Sequence, residues 1–562
     1  MQIIIEILAL VALLLLSLFL VKFSKTPARI CPRQVLAALR RPALVFLLVG
    51  FLAFAASALT AVVYGIPQPR IHDEFSYLLE ADTFAQARLT NPPHPLWQHF
   101  ESFHIIGQPT YASKYPPAQG LMLALGQVVV GHPIAGVWLS VGLAAAAICW
   151  MLAGWVPLRW AWIGGLLAVV RLVFSGALNF KGLDTFGYWS QTYWGGAVAA
   201  LGGALVFGAL PRILKKPRPR DALWLALGLV ILANSRPFEG LVVCLPAAAV
   251  LGVWLFKTRS GDWRSRGRRV VLPATLVLLL GALWMGYYNF RVTGNPFLMP
   301  YQVYEAAYAV TPFFLWQPLK PAPPYNHQPM MEFNVIWSAA CHQEQQSLAD
   351  WLMACKWKVQ NLWMFYFGIL FAPFMAALPW TWHRFRVKFA LAVWGLLILA
   401  FMTATWASPH YAAPAFSLAI LLMVECLRQV RLATWRGRRV GPALAAAALP
   451  VLLVTPIVIF VVAQHLNPTD WHLDRARILQ NLENDAGRHL VLVRYSPGHS
   501  PHEQWIYNRA DLDGAKVVWA WEMGPEADRE LLDYFKDRRV WLLNADVLPR
   551  RLVAYPETQA TQ

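Results

Sequence analysis

Ile71-His72-Asp73-Glu74-Phe75-Ser76-Tyr77 sits just past an apolar stretch that ends near Tyr64. Two adjacent carboxylates where a chain leaves a membrane are costly unless they face water or have a task. Further on, Tyr111-Ala112-Ser113-Lys114-Tyr115-Pro116-Pro117 sets a lysine between tyrosines. At that depth an ammonium can reach the phosphate of a lipid headgroup as a point charge. The plainer alternative is snorkelling to the interface, which predicts no particular neighbours. His104, in Phe100-Glu101-Ser102-Phe103-His104, adds a titratable group to the same loop. A lone histidine is more often structural than catalytic. Asp73 also has a plain reading. Phe75, Leu78, Leu79, Ala85 and Leu89 form an amphipathic pattern that fits a helix along the bilayer surface, and Asp73 at its start can cap it. That accounts for one acid and leaves Glu74 to tune Asp73, to bind metal or only to begin the helix.

The elements that must position these groups are apolar runs. The chain has 562 residues, of which 57% are hydrophobic and 14% charged, which excludes disorder and argues against a soluble globular protein. The net charge of +18 is spread in short clusters between apolar runs. Nucleic-acid binding calls for one continuous basic face, whereas clusters between spans follow the positive-inside rule. Candidate spans are 3–21, 43–64, 133–153, 160–176, 194–210, 222–235, 238–256, 270–290, 361–381, 388–406, 411–427 and 442–463. With the N-terminus outside, the loops 22–42, 154–159, 211–221, 257–269, 382–387 and 428–441 are cytoplasmic and hold most of the basic clusters. The first span has no basic residue before it and no small-residue cleavage site after it, so it reads as a retained helix rather than a signal peptide.

Residues 116–131 are short and carry Gly120, Gly126 and Gln127, so they read as an interfacial helix on the outer surface. Three outer regions remain: 65–132, 291–360 and 464–562. Long loops of this kind are usually functional. Cys341 and Cys355 share one of them, which allows either a disulfide or two separate thiols. In the tail, 489–495, 516–521 and 539–543 read as strands and 525–536 as a helix, which makes a small α/β domain. The expected organisation is therefore 1–42 as a helix with a basic cytoplasmic segment, 43–463 as the membrane domain, and 464–562 as an extracytoplasmic α/β domain. His499-Ser500-Pro501-His502-Glu503 has a metal-like spacing but no clear third ligand. No Walker loop, dinucleotide motif or Cys-x-x-Cys pair occurs, so no nucleotide or redox cofactor is expected.

Asp-Glu at a membrane exit with Tyr77 four residues after Asp73, a surface helix, and Lys114-Tyr115-Pro116-Pro117 before a second surface helix resemble the GT-C glycosyltransferases. In particular they resemble the family of protein O-mannosyltransferases, lipid A aminoarabinose transferases and related bacterial enzymes. The resemblance covers the layout of 43–430 and rests on those two motifs. It implies an α-helical polytopic fold of about twelve transmembrane helices with juxtamembrane helices. It also implies a polyprenyl-phosphate sugar donor and a site on the outer face of the plasma membrane. By that resemblance Asp73 falls at the catalytic acidic position, with Glu74 beside it, and Lys114 at the donor-phosphate contact. A carboxylate suits the task of taking an acceptor proton and stabilising an oxocarbenium-like centre. The leaving phosphate calls for positive charge from Lys, Arg or a divalent metal.

Weaker candidates follow. Asp184 lies in the next outer loop, where the family often has an acid, so the resemblance makes it a candidate metal or acceptor ligand, with Asp73 the other candidate for metal. Arg236 shares a tight turn with Glu239 and is either an ion-pair partner or a second phosphate contact. Tyr115, His104 and Tyr77 line the same motifs. His410-Tyr411 stands where the family often has Arg-Tyr, a departure that removes a fixed charge. The expected partners are the lipid-linked donor, an envelope glycan, lipid or protein acceptor, and the bilayer, with no nucleic acid. A transporter or flippase of lipid-linked glycans is the alternative. It would show repeated halves and ionisable groups at the midplane, whereas Glu6, Arg171, Glu239 and Glu425 lie toward span ends.

Overall fold

The computed structural model describes residues 1–23, 41–176, 187–257, 262–466 and 471–555. Among these, nine helices are long and apolar enough to cross a bilayer: Gln2–Val21, Pro42–Tyr64, Ile134–Trp155, Gly196–Lys215, Pro237–Phe256, Trp263–Thr293, Phe385–Thr403, Pro409–Val430 and Gly441–His465. Several present apolar side chains outward, among them Leu8, Leu14, Leu276, Leu280 and Leu283. Such surface is unfavourable in water and suits lipid, where a helix satisfies its own backbone. The expected spans at 160–176 and 222–235 are helices Leu158–Phe174 and Pro219–Ala233, of 17 and 15 residues. They fall at or below the roughly 17-residue lower limit for crossing.

The expected span 361–381 is not one helix. The helix Leu348–Tyr366 ends, Gly368 takes a left-handed φ of 72°, and only the short turns Ala372–Met375 and Pro379–Thr381 follow. Pro373 and Pro379 cannot continue a helix that far inside. A break at membrane depth frees backbone groups that need partners. Glu6 and Arg171 supply them. The Glu6 carboxylate accepts from the amides of Leu370 (3.0 Å) and Ile369. The Arg171 guanidinium donates to the Phe367 carbonyl at 2.6 Å. Two charges that the sequence placed near span ends thus hold one broken helix, and Glu6 ties the N-terminal helix to it. A Cβ at Gly368 would lie 2.9 Å from Glu6 Oε2 and 3.3 Å from Arg171 Nη2, so a larger residue would displace this pair as well as strain the positive φ. Glu425 makes a second such knot. Fully buried, it accepts from Arg384 (2.6 Å), Arg386 (2.8 Å) and Arg428 (2.5 Å). Cys355 carries a free thiol, so of the two cysteine readings the separate thiols hold.

The chain forms two compact units: Met1–Ile66, Val137–Leu283 and Leu348–Asn467 in one, and Pro67–Gly136, Trp284–Ser347 and Pro468–Gln562 in the other. The second unit has one hydrophobic core to which all three of its segments contribute: Phe75, Leu79, Phe103 and Tyr111, then Met330 and Phe333, then Trp471, Trp505 and Trp519. It contains a two-stranded hairpin, β1 (Ile105–Ile106) with β2 (Ala112–Ser113). It also contains a four-stranded sheet in the order β4-β3-β5-β6. Here β3 is Arg488–Arg494, β4 Val517–Trp521, β5 Arg538–Asn544 and β6 Leu552–Ala554. The first three are parallel and β6 is antiparallel to β5. β3 and β4 are near-continuous apolar runs, as strands covered on both faces should be. The three strands and the helix Pro525–Tyr534 fall where the sequence pattern placed them. The helix Trp471–Asn484 and β6 carry weaker patterns and were not foreseen. Residues 116–131 form the helix Ala118–Val130, which buries Leu123, Ala124 and Gly126 and exposes Leu121, Leu125 and Val128.

Glu6→Ala is expected to destabilise the protein by about 1–3 kcal/mol, because two buried amides lose their acceptor. Gly368→Ala should act in the same direction. Gly252→Ala, whose Cβ would meet nothing within 4 Å, should not. Thermal unfolding in detergent measures all three.

Candidate active site

The residues foreseen around the Asp-Glu and Lys motifs meet in the second unit. The helix His72–Ala85 begins after Ile71, so Asp73 is its second residue and not its cap. The capping task falls to Glu74. Its Oε2 accepts from the amides of Arg70 (2.8 Å) and Ile71 (3.1 Å), as a carboxylate in a first helical turn can. Asp73 is thereby left to side-chain partners. Its Oδ1 accepts from the Tyr115 hydroxyl at 2.6 Å, and its Oδ2 lies 3.9 Å from His104 Nε2. The Asp73 side chain is 23% exposed, so solvent or a ligand can reach it. Tyr77, one helical turn on, stacks on the Tyr115 ring (centroids 4.5 Å, planes 20°) and so sets the position of that hydroxyl.

The hairpin brings the other motif to this carboxylate. Ile105 faces Ser113 and Ile106 faces Ala112, so the next pair outward is His104 with Lys114. The Lys114 amide donates to the His104 carbonyl at 3.1 Å. Ser76, on the helix, donates its hydroxyl to the same carbonyl at 2.6 Å and lies 2.8 Å from Ser113 Oγ. Ser113 Oγ in turn accepts from the Tyr115 amide at 3.1 Å. His104 adopts φ 62°, a left-handed conformation that costs free energy in a non-glycine residue and recurs at functional sites.

Lys114 is buried and its ammonium is 3.5 Å from Glu305 Oε1. It lies over the rings of Tyr304 (4.5 Å), Tyr301 (5.4 Å) and Tyr115 (5.5 Å), contacts that suit a desolvated cation. Burial lowers its pKa, while Glu305 and Asp73 act to raise it. The His104 imidazole is held well below its usual value, first by burial and then by the Lys114 charge, and is neutral at neutral pH. His72 is shifted the same way by burial, His104 and His502. His72 Nδ1 is 2.7 Å from the Tyr507 hydroxyl, and Phe75 stacks flat on the Tyr507 ring (3.9 Å, 3°). The C-terminal segment thus fixes the helix that carries Asp73.

Glu305 and its tyrosines were missed by sequence reasoning. The signal was present: Tyr301, Tyr304 and Glu305 share one face of the helix Pro300–Tyr308 in an outer loop. Ser76 and Ser113 had no signal, since serine is common and their meeting is purely tertiary. Among the remaining foreseen residues, Arg236, Tyr411 and His410 group in the first unit. The Arg236 guanidinium lies over the Tyr411 ring at 4.6 Å. His410 Nδ1 is 2.5 Å from the Tyr188 hydroxyl and its ring stacks on Trp194 (5.0 Å, 20°). Tyr188 and Trp194 are both buried. Asp184 lies outside the described residues.

No three His, Cys, Asp or Glu side chains are grouped to hold a metal ion among the described residues. Glu74 Oε2 is committed to backbone amides, Glu305 is paired with Lys114, and Lys114 itself opposes a second cation. The described donor set around Asp73 therefore does not fit a divalent ion. His499 and His502 do not converge either: His499 Nδ1 is 2.6 Å from Asp546, while His502 stacks against His72 at 6.0 Å.

The nine apolar helices and the small parallel sheet define a polytopic helical membrane protein with an α/β segment. The chain is similar to solved structures of ArnT from Cupriavidus metallidurans. Against the apo form the identity is 12% and the TM-score 0.49, over 87% of this chain and 92% of that one. Against the form bound to undecaprenyl phosphate they are 12% and 0.49, over 86% and 88%. It is also similar to the Archaeoglobus fulgidus oligosaccharyltransferase in complex with Zn and sulfate, at 12% identity and TM-score 0.48, over 89% of this chain and 67% of that one. At these values the likeness carries no residue roles to this chain. No family model and no curated protein matches the sequence.

Buried neutral histidines make the protein acid-sensitive. Their folded pKa values are depressed, so the stability is complete above the unfolded value of about 6.5 and is lost as pH falls toward the folded values. For His327, buried against the Gln98 carbonyl at 2.7 Å, the folded value is about 4. Melting temperature should fall between about pH 6.5 and about pH 4, and His327→Gln should flatten the decline. A profile unchanged by that substitution would count against neutral burial.

Proposed function

We propose that this chain is a GT-C-type glycosyltransferase that moves a sugar from a polyprenyl-phosphate donor to an acceptor hydroxyl, with inversion, on the outer face of the plasma membrane. The observation that carries the reading is the Asp73 carboxylate: accessible, oriented through Oδ1 by Tyr115, faced at Oδ2 by His104, and next to the Lys114 cation. Tyr115 occupies Oδ1 and leaves Oδ2 as the basic oxygen. The acceptor O–H gives its proton to Asp73 Oδ2 as its oxygen bonds to the anomeric carbon. The bond from that carbon to the phosphate oxygen breaks, and its electron pair leaves with the polyprenyl phosphate. The charge that develops on that phosphate calls for a cation. Lys114 is proposed for this role, the phosphate exchanging with Glu305 across the long 3.5 Å pair. In the first unit the proposed phosphate ligand is Arg236, with His410 and Tyr411 setting its surroundings. Asp184 is proposed as an acceptor or metal ligand, and no step is routed through a metal. Glu74 is proposed as a positioning residue that holds the start of the Asp73 helix.

The test is complementation. Cells lacking this protein should lose one sugar modification, read by mass spectrometry of envelope glycans, lipids and proteins. The wild-type gene should restore it. Asp73→Asn should not, with activity reduced roughly 10²–10⁴-fold and the melting temperature retained. Normal transfer by purified Asp73→Asn would overturn the assignment. Lys114→Ala should raise the KM for donor about tenfold or more, the scale of one charge-assisted hydrogen bond. Unchanged donor saturation in that variant would remove the phosphate role.

A further inference from the structure

The second unit contains a cavity of about 240 Å³ that lies away from the Asp73 cluster in its lining. Its walls come from the ends of β3 and β4, the turns that follow them, and residues 326–332. Open α/β sheets hold ligands outside the carboxyl ends of their strands. The volume is a little below the roughly 300 Å³ at which ligand clefts begin, which suits one small ring rather than an extended chain.

The walls are fixed before any ligand arrives. On one side His327 lies flat on Trp521 (4.0 Å, 6°), which makes a double aromatic layer. The turn after β3 is pinned by Asp546, which accepts from the Ser496 amide at 2.8 Å and lies 2.6 Å from His499 Nδ1. At the rim Arg494 and Glu522 form a two-bond pair (3.0 and 2.7 Å), with the Arg494 side chain 50% exposed. Gln328 donates to Glu332 at 2.8 Å.

We propose that this cavity binds a single sugar residue of the acceptor, an inference that rests on the transferase reading above. Paired amide, guanidinium and carboxylate groups alternate donors with acceptors, as vicinal hydroxyls require, because each hydroxyl both donates and accepts. His327 and Trp521, 7% and 3% exposed, give one apolar wall against which the C–H atoms of a sugar ring can pack. Arg494 is outnumbered by Glu332 and Glu522 in the lining, so a phosphate or nucleotide is repelled. A peptide strand would pair along a sheet edge, whereas this opening is at strand ends.

The test uses the full chain in detergent and saturation-transfer NMR with glucose, galactose, mannose, arabinose, N-acetylglucosamine and N-acetylgalactosamine, and inorganic phosphate as competitor. At least one sugar should receive saturation from wild type and equally from Asp73→Asn. Ser496→Trp, which fills the cavity, should abolish the signal. Glu332→Gln, which keeps the shape, should weaken binding roughly tenfold, the scale of one hydrogen bond to a charged group. Phosphate should not compete. The proposal is overturned if no sugar in the panel binds wild type, if folded Glu332→Gln binds as wild type does, or if phosphate displaces the sugar. The two readings separate cleanly. Sugar binding retained alongside full transfer by Asp73→Asn sinks the catalytic assignment alone. Loss of transfer in Asp73→Asn with an unchanged acceptor KM in Ser496→Trp sinks the cavity proposal alone.

Discussion

The candidate site hangs on one hydroxyl. Ser76 donates to the His104 carbonyl and touches Ser113 Oγ, which joins the Asp73 helix to both strands of a hairpin only two residue pairs long. So short a hairpin is not stable by itself in water. Pinned to the helix, it sets His104, Lys114 and Tyr115 around Asp73 and holds His104 at a positive φ. The backbone of His104 thus carries two hydrogen bonds at one oxygen, while its ring is left to face the carboxylate. A buried polar junction of this kind is costly if any member is unsatisfied and strongly specifying when all are met.

The C-terminal segment supports that junction from its other side. Phe75 on Tyr507, His72 against the same tyrosine, and Arg475 over Phe75 at 5.0 Å hold the start of the helix against the C-terminal segment. The core of this unit is drawn from three segments far apart in the chain, so the tail is part of what shapes the candidate active site. In the other unit the same logic works with charges. Glu6 and Arg171 satisfy a broken helix, and Glu425 gathers three arginines that a topology count treats only as basic loop residues.

The sequence by itself determined what local physics decides. Runs of apolar residues marked most of the spans, short apolar runs marked β3, β4 and β5, and the residue types at 71–77, 100–104 and 111–117 singled out Asp73, His104, Lys114 and Tyr115. Tertiary structure decided what those groups do to each other. It gave the capping role to Glu74 rather than Asp73, brought in Glu305 and its tyrosines as the surroundings of Lys114, and broke 361–381 at Gly368. It also built the sugar-sized cavity from a loop and two strand ends. The reason is that closing a long loop costs little more than closing a short one. Partners such as Lys114 and Glu305, or Phe75 and Tyr507, therefore leave no mark in their spacing, and only the packed core shows which of them meet.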